Sequence, residues 1–231
     1  MITTRNNPIV SGALPESYRE VLNWKVTDKK SRLVIALALA VVGFLIFGLV
    51  FTGLAMALGG LPPSGTFVID LGSLIPLVVG MVVTLIVHEL VHGLAMSLFG
   101  AKPRYGILWK GLMLYATSPG FAFSRNAYVL ILMAPFVVIS ALVVLGLWLM
   151  PGMPWTLTVV TCGMVNASGA VGDLWMTLIA LRYPALARMM DERDGMRVFL
   201  PQIETTGRPA APAPDPLNPP GSQRLSQRTG Q

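Results

Sequence analysis

The chain has 231 residues, 54% of them hydrophobic and only 12% charged. A soluble domain carries about 25% charged residues, so this balance excludes an ordinary soluble enzyme, and the apolar content excludes a disordered chain. The 17 basic residues outnumber the 11 acidic ones, net +6. They gather at one set of segment ends, which points to a membrane topology signal and not to a nucleic-acid partner. The single cysteine, Cys162, allows no internal disulfide.

In chain order, residues 1–32 read as a mostly polar arm, with a short helix expected around Glu16–Trp24. Four apolar blocks follow, at about Leu33–Leu58, Leu74–Phe99, Asn126–Met150 and Trp155–Leu181. A block of roughly 25 residues makes about 38 Å of helix, enough to cross a hydrocarbon core of about 30 Å with some tilt. The first block lies behind a long polar arm and exceeds the apolar region of a secretory signal, so it is expected to be an uncleaved span. Pro76 and Pro135 fall inside the second and third blocks and are candidate kinks. Between those two blocks, Tyr105, Ile107 and Trp109 alternate with other residues, as do Leu112, Leu114 and Ala116 after Lys110-Gly111. This predicts a two-stranded hairpin over Arg104–Thr117 with a tight turn. Residues 200–231 are rich in Pro, Gly, Ser and Gln and read as a disordered tail.

The expected fold is therefore an all-α polytopic membrane protein, with four transmembrane helices and a small β-hairpin on the cytoplasmic side. Three segments result: a cytoplasmic arm over 1–32, a four-span membrane domain over 33–199 and a tail over 200–231. No basic residue falls in Gly59–Ser73 or Pro151–Pro154. Cytoplasmic segments carry the lysine and arginine excess, so both termini are expected in the cytoplasm, with the plasma membrane as the expected location.

The second span contains His88-Glu89-Leu90-Val91-His92, and these are the only two histidines of the chain. By composition such an H-E-x-x-H match is expected about 0.0008 times by chance. Residues at i and i+4 share a helical face, so both imidazoles can reach one ion. Zn²⁺ suits imidazole, and a catalytic zinc takes three protein ligands and leaves one position for water. Glu89, about 100° around the helix from His88, can take a proton from that water. Only Glu89 and Asp173 are acids inside the spans. An ionisable residue there costs roughly 2.5–3.5 kcal/mol on insertion scales and marks a function, which makes Asp173 the candidate third ligand. Counted from the inner ends of spans two and four, His88, His92 and Asp173 lie at similar depths of about 10–16 Å.

Asn166, seven residues before Asp173 and on nearly the same face, is a candidate to orient substrate or to hydrogen-bond an oxyanion; an interhelical hydrogen bond is the plainer reading. Gly169 and Gly172 are expected to permit close helix approach. Cys162 is too far along the axis from Asp173 to join it as a ligand.

These residues resemble the intramembrane zinc metalloproteases of the site-2 protease type, and more closely the small membrane proteins known as putative zincin peptidases. The likeness is carried by His88 to Gly93, by Gly100-Ala-Lys-Pro-Arg-Tyr-Gly106 and by Gly172-Asp173-Leu174, and covers about Leu74 to Leu181. In the site-2 protease family an inward helix with H-E-x-x-H precedes a hairpin, an outward helix and an inward helix bearing an aspartate. The resemblance implies His88, His92 and Asp173 as zinc ligands, Glu89 as catalytic base, and a hairpin that pairs with an unfolding substrate strand. Gly172 precedes the acid here, where site-2 proteases place a glycine after it; this fits the zincin group better.

The function expected is hydrolysis of peptide bonds in or near the membrane. The partners are a membrane-embedded or membrane-proximal protein substrate and the lipid bilayer, with no nucleic acid. Two alternatives remain at this stage: a non-catalytic regulator or scaffold of the same fold, and a zinc hydrolase acting on a lipid or another amide.

Overall fold

The computed structural model describes residues 12–61, 71–109, 113–149, 151–152 and 154–202. The expected turn at Lys110-Gly111 and nearly all of the expected tail lie outside these residues. A first strand, β1 (Tyr18–Lys25), leads through a single 3₁₀ turn into α1 (Lys30–Ala57). Then come α2 (Leu71–Leu98), the strands β2 (Arg104–Leu108), β3 (Met113–Thr117) and β4 (Ala122–Ser124), and α3 (Arg125–Leu149). The last described elements are α4 (Thr156–Gly169), α5 (Val171–Ala180), β5 (Arg188–Glu192) and β6 (Gly195–Pro201).

Among the described residues, four helices are long and apolar enough to cross a membrane, with α4 and α5 together forming the fourth, interrupted at Ala170. Each covers a mostly apolar stretch, and a helix satisfies its own backbone where solvent cannot. α2 and α3 continue through Pro76 and Pro135. Large apolar side chains such as Leu49, Ile75 and Leu130 point outward and are exposed, as suits a surface facing lipid. α4 is the central helix and packs against α1, α2 and α3. Small residues let it do so: Gly43 of α1 lies against Val171, Gly48 of α1 under the Met164 side chain, and Gly163 of α4 under the Phe51 ring. Ser168 Oγ also donates to the Ala40 carbonyl at 2.9 Å, tying α1 to α4.

The hairpin expected over Arg104–Thr117 is present: β2 and β3 pair antiparallel, Tyr105 opposite Ala116 and Leu108 opposite Met113. Tyr105 packs directly on Gly93, where any side chain would overlap its hydroxyl. The hairpin thus lies alongside α2, five residues inside its end at Leu98.

The expectation of an otherwise all-α chain needs correction. A four-stranded antiparallel sheet, in the order β1-β6-β5-β4, packs at the same end of the helices as the hairpin. The helix expected around Glu16–Trp24 is strand β1, which pairs with β6 from Tyr18↔Pro201 to Lys25↔Gly195. A register shift between Glu20 and Leu22 breaks its alternation, and its Arg, Glu and Leu residues favour helix when read alone. The partner 170 or more residues away overrides that local preference. Gly195 permits the pairing, since a Cβ there would lie 2.0 Å from the Trp24 carbonyl oxygen. Met189 and Val198 of the sheet, Tyr128 and Ile131 of α3 and Ala180 of α5 share one buried cluster. Phe51, Ile139, Val143 and Val160 form a second cluster among the helices.

Candidate metal centre

His88 and His92 lie one turn apart on the buried face of α2, and α5 brings Asp173 against them. Both Nε2 atoms approach one carboxylate oxygen: Asp173 Oδ2 is 3.1 Å from His88 and 3.2 Å from His92. Ligand atoms of the three residues all lie within 4.8 Å of one another.

The far side of each ring is also held. His92 Nδ1 is 3.0 Å from the backbone oxygen of Ile131. A carbonyl only accepts, so Nδ1 carries a hydrogen, and the neutral ring then turns its Nε2 lone pair toward Asp173. Ile131 has this oxygen to offer because Pro135, four residues on, has no N–H to bond it within α3. His88 Nδ1 is 3.0 Å from Asn166 Oδ1, and the Asn166 amide nitrogen is 3.5 Å from Ser140 Oγ. Two imidazole nitrogens and a carboxylate oxygen thus converge, an arrangement that either a shared proton or a cation between them stabilises. Bonds of about 2.0 Å to a tetrahedral zinc would set ligand atoms about 3.3 Å apart, close to the two nitrogen–oxygen distances found. The donors present therefore fit a zinc ion.

Glu89 is half-buried beside this triad and accepts a hydrogen bond from the Ala116 backbone of β3. Together with His92 and Asp173 it lines a cavity of about 530 Å³, walled by α1, α2, α3, the fourth span, β3 and the β5–β6 turn. Most of the wall is apolar, with Leu33, Leu37 and Phe44 from α1 and Met81 and Leu85 from α2. Asn166, 1% exposed, sits against the back of His88 and is not on this wall. Gly169 and Gly172 are on the wall, and an added Cβ at either would meet nothing within 4 Å. They do not serve the close helix approach expected of them; Gly43, Gly48 and Gly163 do.

Sequence reasoning missed one buried acid. Asp191 of β5 is 7% exposed and lines both this cavity and a second one of about 460 Å³ bordered by Lys25, Thr117, Arg193 and Arg197. Its Oδ1 accepts from the Tyr128 hydroxyl at 2.8 Å, while its Oδ2 is buried with no hydrogen-bond partner. Burial pushes its carboxyl up to about 7, against the lowering effect of the Tyr128 and Thr117 hydrogen bonds. A signal existed in Asp194-Gly195, a hairpin dipeptide within an alternating run, which would have placed Asp191 on a strand.

Residues 81–188 match the profile of a family described as putative zincin peptidase, a stretch holding the two histidines, the hairpin and Asp173. That match suggests a metallopeptidase. No curated protein and no solved structure matches the chain.

Proposed function

We propose that this protein is an intramembrane zinc metallopeptidase similar to the site-2 protease type. It would hydrolyse peptide bonds of a protein substrate in or near the plasma membrane, with both termini of the chain in the cytoplasm. The observation that carries the reading is the convergence of the two Nε2 atoms on Asp173 Oδ2, with the Ile131 carbonyl fixing the tautomer of His92. His88, His92 and Asp173 would hold the zinc, and Asn166 would orient His88 from behind. Bound there, zinc supplies Lewis-acid polarisation of the scissile carbonyl and acidifies a water. Glu89 takes the proton from the attacking water and returns it to the leaving amine.

The hairpin supports a peptide substrate. β3 pairs with β2 on one edge, and the Ala116 backbone on the other edge reaches Glu89. An unwound substrate has unpaired amides, and an unpaired strand edge can bind them by β-augmentation. α1 packs chiefly on α4, and residues of α1 and α2 both line the cavity, which supports lateral access for a membrane segment between them.

The test is the metal content of detergent-purified protein, with cleavage of reconstituted membrane peptides. The reading expects about one zinc per chain, with Glu89→Gln retaining zinc and losing cleavage. Wild type that folds without zinc, or cleavage that survives in Glu89→Gln, would overturn it. Hydrolysis of labelled lipids with peptides left intact would replace the peptidase by a lipid hydrolase.

A further inference from the structure

The fourth span breaks at Ala170, between Gly169 and Gly172, beside Asp173. Both glycines are exposed and both line the large cavity. Glycine costs a helix roughly 0.5–1 kcal/mol relative to alanine, so a pair at a helix break needs a reason. Close packing is not the reason, because nothing lies within 4 Å of a Cβ built at either position. Apolar side chains line the same cavity, including Leu33, Leu37 and Phe44 of α1 and Met176, one turn after Gly172 on α5. A second feature of the same cavity also calls for a ligand: the buried Asp191 carboxyl, whose Oδ2 lacks a partner.

We infer that Gly169 and Gly172 form the floor of a side-chain subsite beside the metal centre, which accepts a bulky apolar residue of the substrate next to the scissile bond. Bare backbone there leaves room that a β-carbon and its substituents would fill. The peptide lies over the break, its large side chain against α1 and α2, and one of its main-chain groups is within reach of the polar end of the cavity at Asp191. The inference rests on the zinc peptidase reading and specifies the substrate class for it: sequences with Leu, Phe or Trp flanking the cleaved bond, in preference to Gly or Ala.

The experiment measures binding, so it does not depend on knowing the substrate. Zinc-loaded full-length protein in detergent is titrated with amino-acid hydroxamates, which anchor on the metal and differ only in side chain. Wild type is expected to bind leucine and phenylalanine hydroxamates on the order of a hundredfold tighter than glycine hydroxamate. Gly169→Leu and Gly172→Leu are expected to bind the leucine and phenylalanine compounds no more tightly than the glycine one. Gly169→Ala and Gly172→Ala, which favour the helix, are expected to lose part of it, and they carry the test if the larger substitutions unfold the protein. Equal binding of glycine and leucine hydroxamates by zinc-loaded wild type overturns the subsite and leaves the metal centre intact. Absence of zinc from folded wild type overturns both.

Discussion

Two buried aspartates line one cavity and live under different rules. Asp173, on a helix, has its Oδ2 engaged by two imidazoles whose far nitrogens are themselves held. Asp191, on a strand, has one oxygen bonded to Tyr128 and the other bare. Removing a charge from water costs several kcal/mol unless partners replace the water. The first acid has been given partners that suit a cation; the second is better buried with a proton. Being buried is thus a poor guide to what an acid does, and its partners are a better one.

The largest expected effect breaks the first half of this contrast. His88→Ala or Asp173→Ala is expected to reduce zinc from about one per chain to none, measured on folded, detergent-purified protein. Loss in His88→Ala alone would move the third ligand away from Asp173.

The second effect concerns Asp191 and pH. Its carboxyl is raised from an ordinary value near 3.8 to about 7. Between those values the folded protein holds a proton that the unfolded chain has released, so stability falls as pH rises from about 4 to about 7 and is level above that. The span of about three pH units corresponds to on the order of 4 kcal/mol. Asp191→Asn keeps an oxygen for Tyr128 and has no proton to lose. It is expected to flatten the pH dependence of the denaturation midpoint and to be the more stable protein at pH 8. An equally steep profile in the variant would assign the dependence to another group.

Smaller effects probe how firmly the histidines are oriented. Asn166→Ala removes the oxygen behind His88 and is expected to weaken zinc binding by about 10–100-fold, the usual range for the groups supporting metal ligands. Pro135→Ala restores a backbone N–H that can bond the Ile131 carbonyl within α3 and compete with His92. About a tenfold weakening is expected there, read by competition with a zinc chelator. Unchanged affinity in both would mean that the orientation of the rings does not limit binding.

The helices were readable because an apolar run of that length has one stable form away from water; their ends fall within about three residues of the expected ones. The histidines and Asp173 were legible because charge is costly in such runs and the i, i+4 spacing is rigid. Main-chain partners leave no residue type to notice, so the Ile131 carbonyl could be sensed only through Pro135, which had been read as a kink. The sheet was obscured because its strands are short and β1 depends on β6. Asp191 escaped with it, counted among the acids outside the spans. Gly169 and Gly172 show the converse: glycines on a membrane helix look alike in sequence whether a helix or a cavity lies above them.

The pairing of β1 with β6 also has a consequence for the order of assembly. Tyr18 leaves the ribosome early, and Pro201 follows only after all four apolar helices have been made. β1 has no other strand partner among the described residues, so it waits unpaired through the synthesis of the helices. Loop closure over so long a stretch is slow relative to helix formation. The three residues of the metal centre are already translated by then, while the sheet that carries Asp191 and walls the cavity is completed last. In the order of translation, the three donors therefore precede the sheet that closes the cavity beside them.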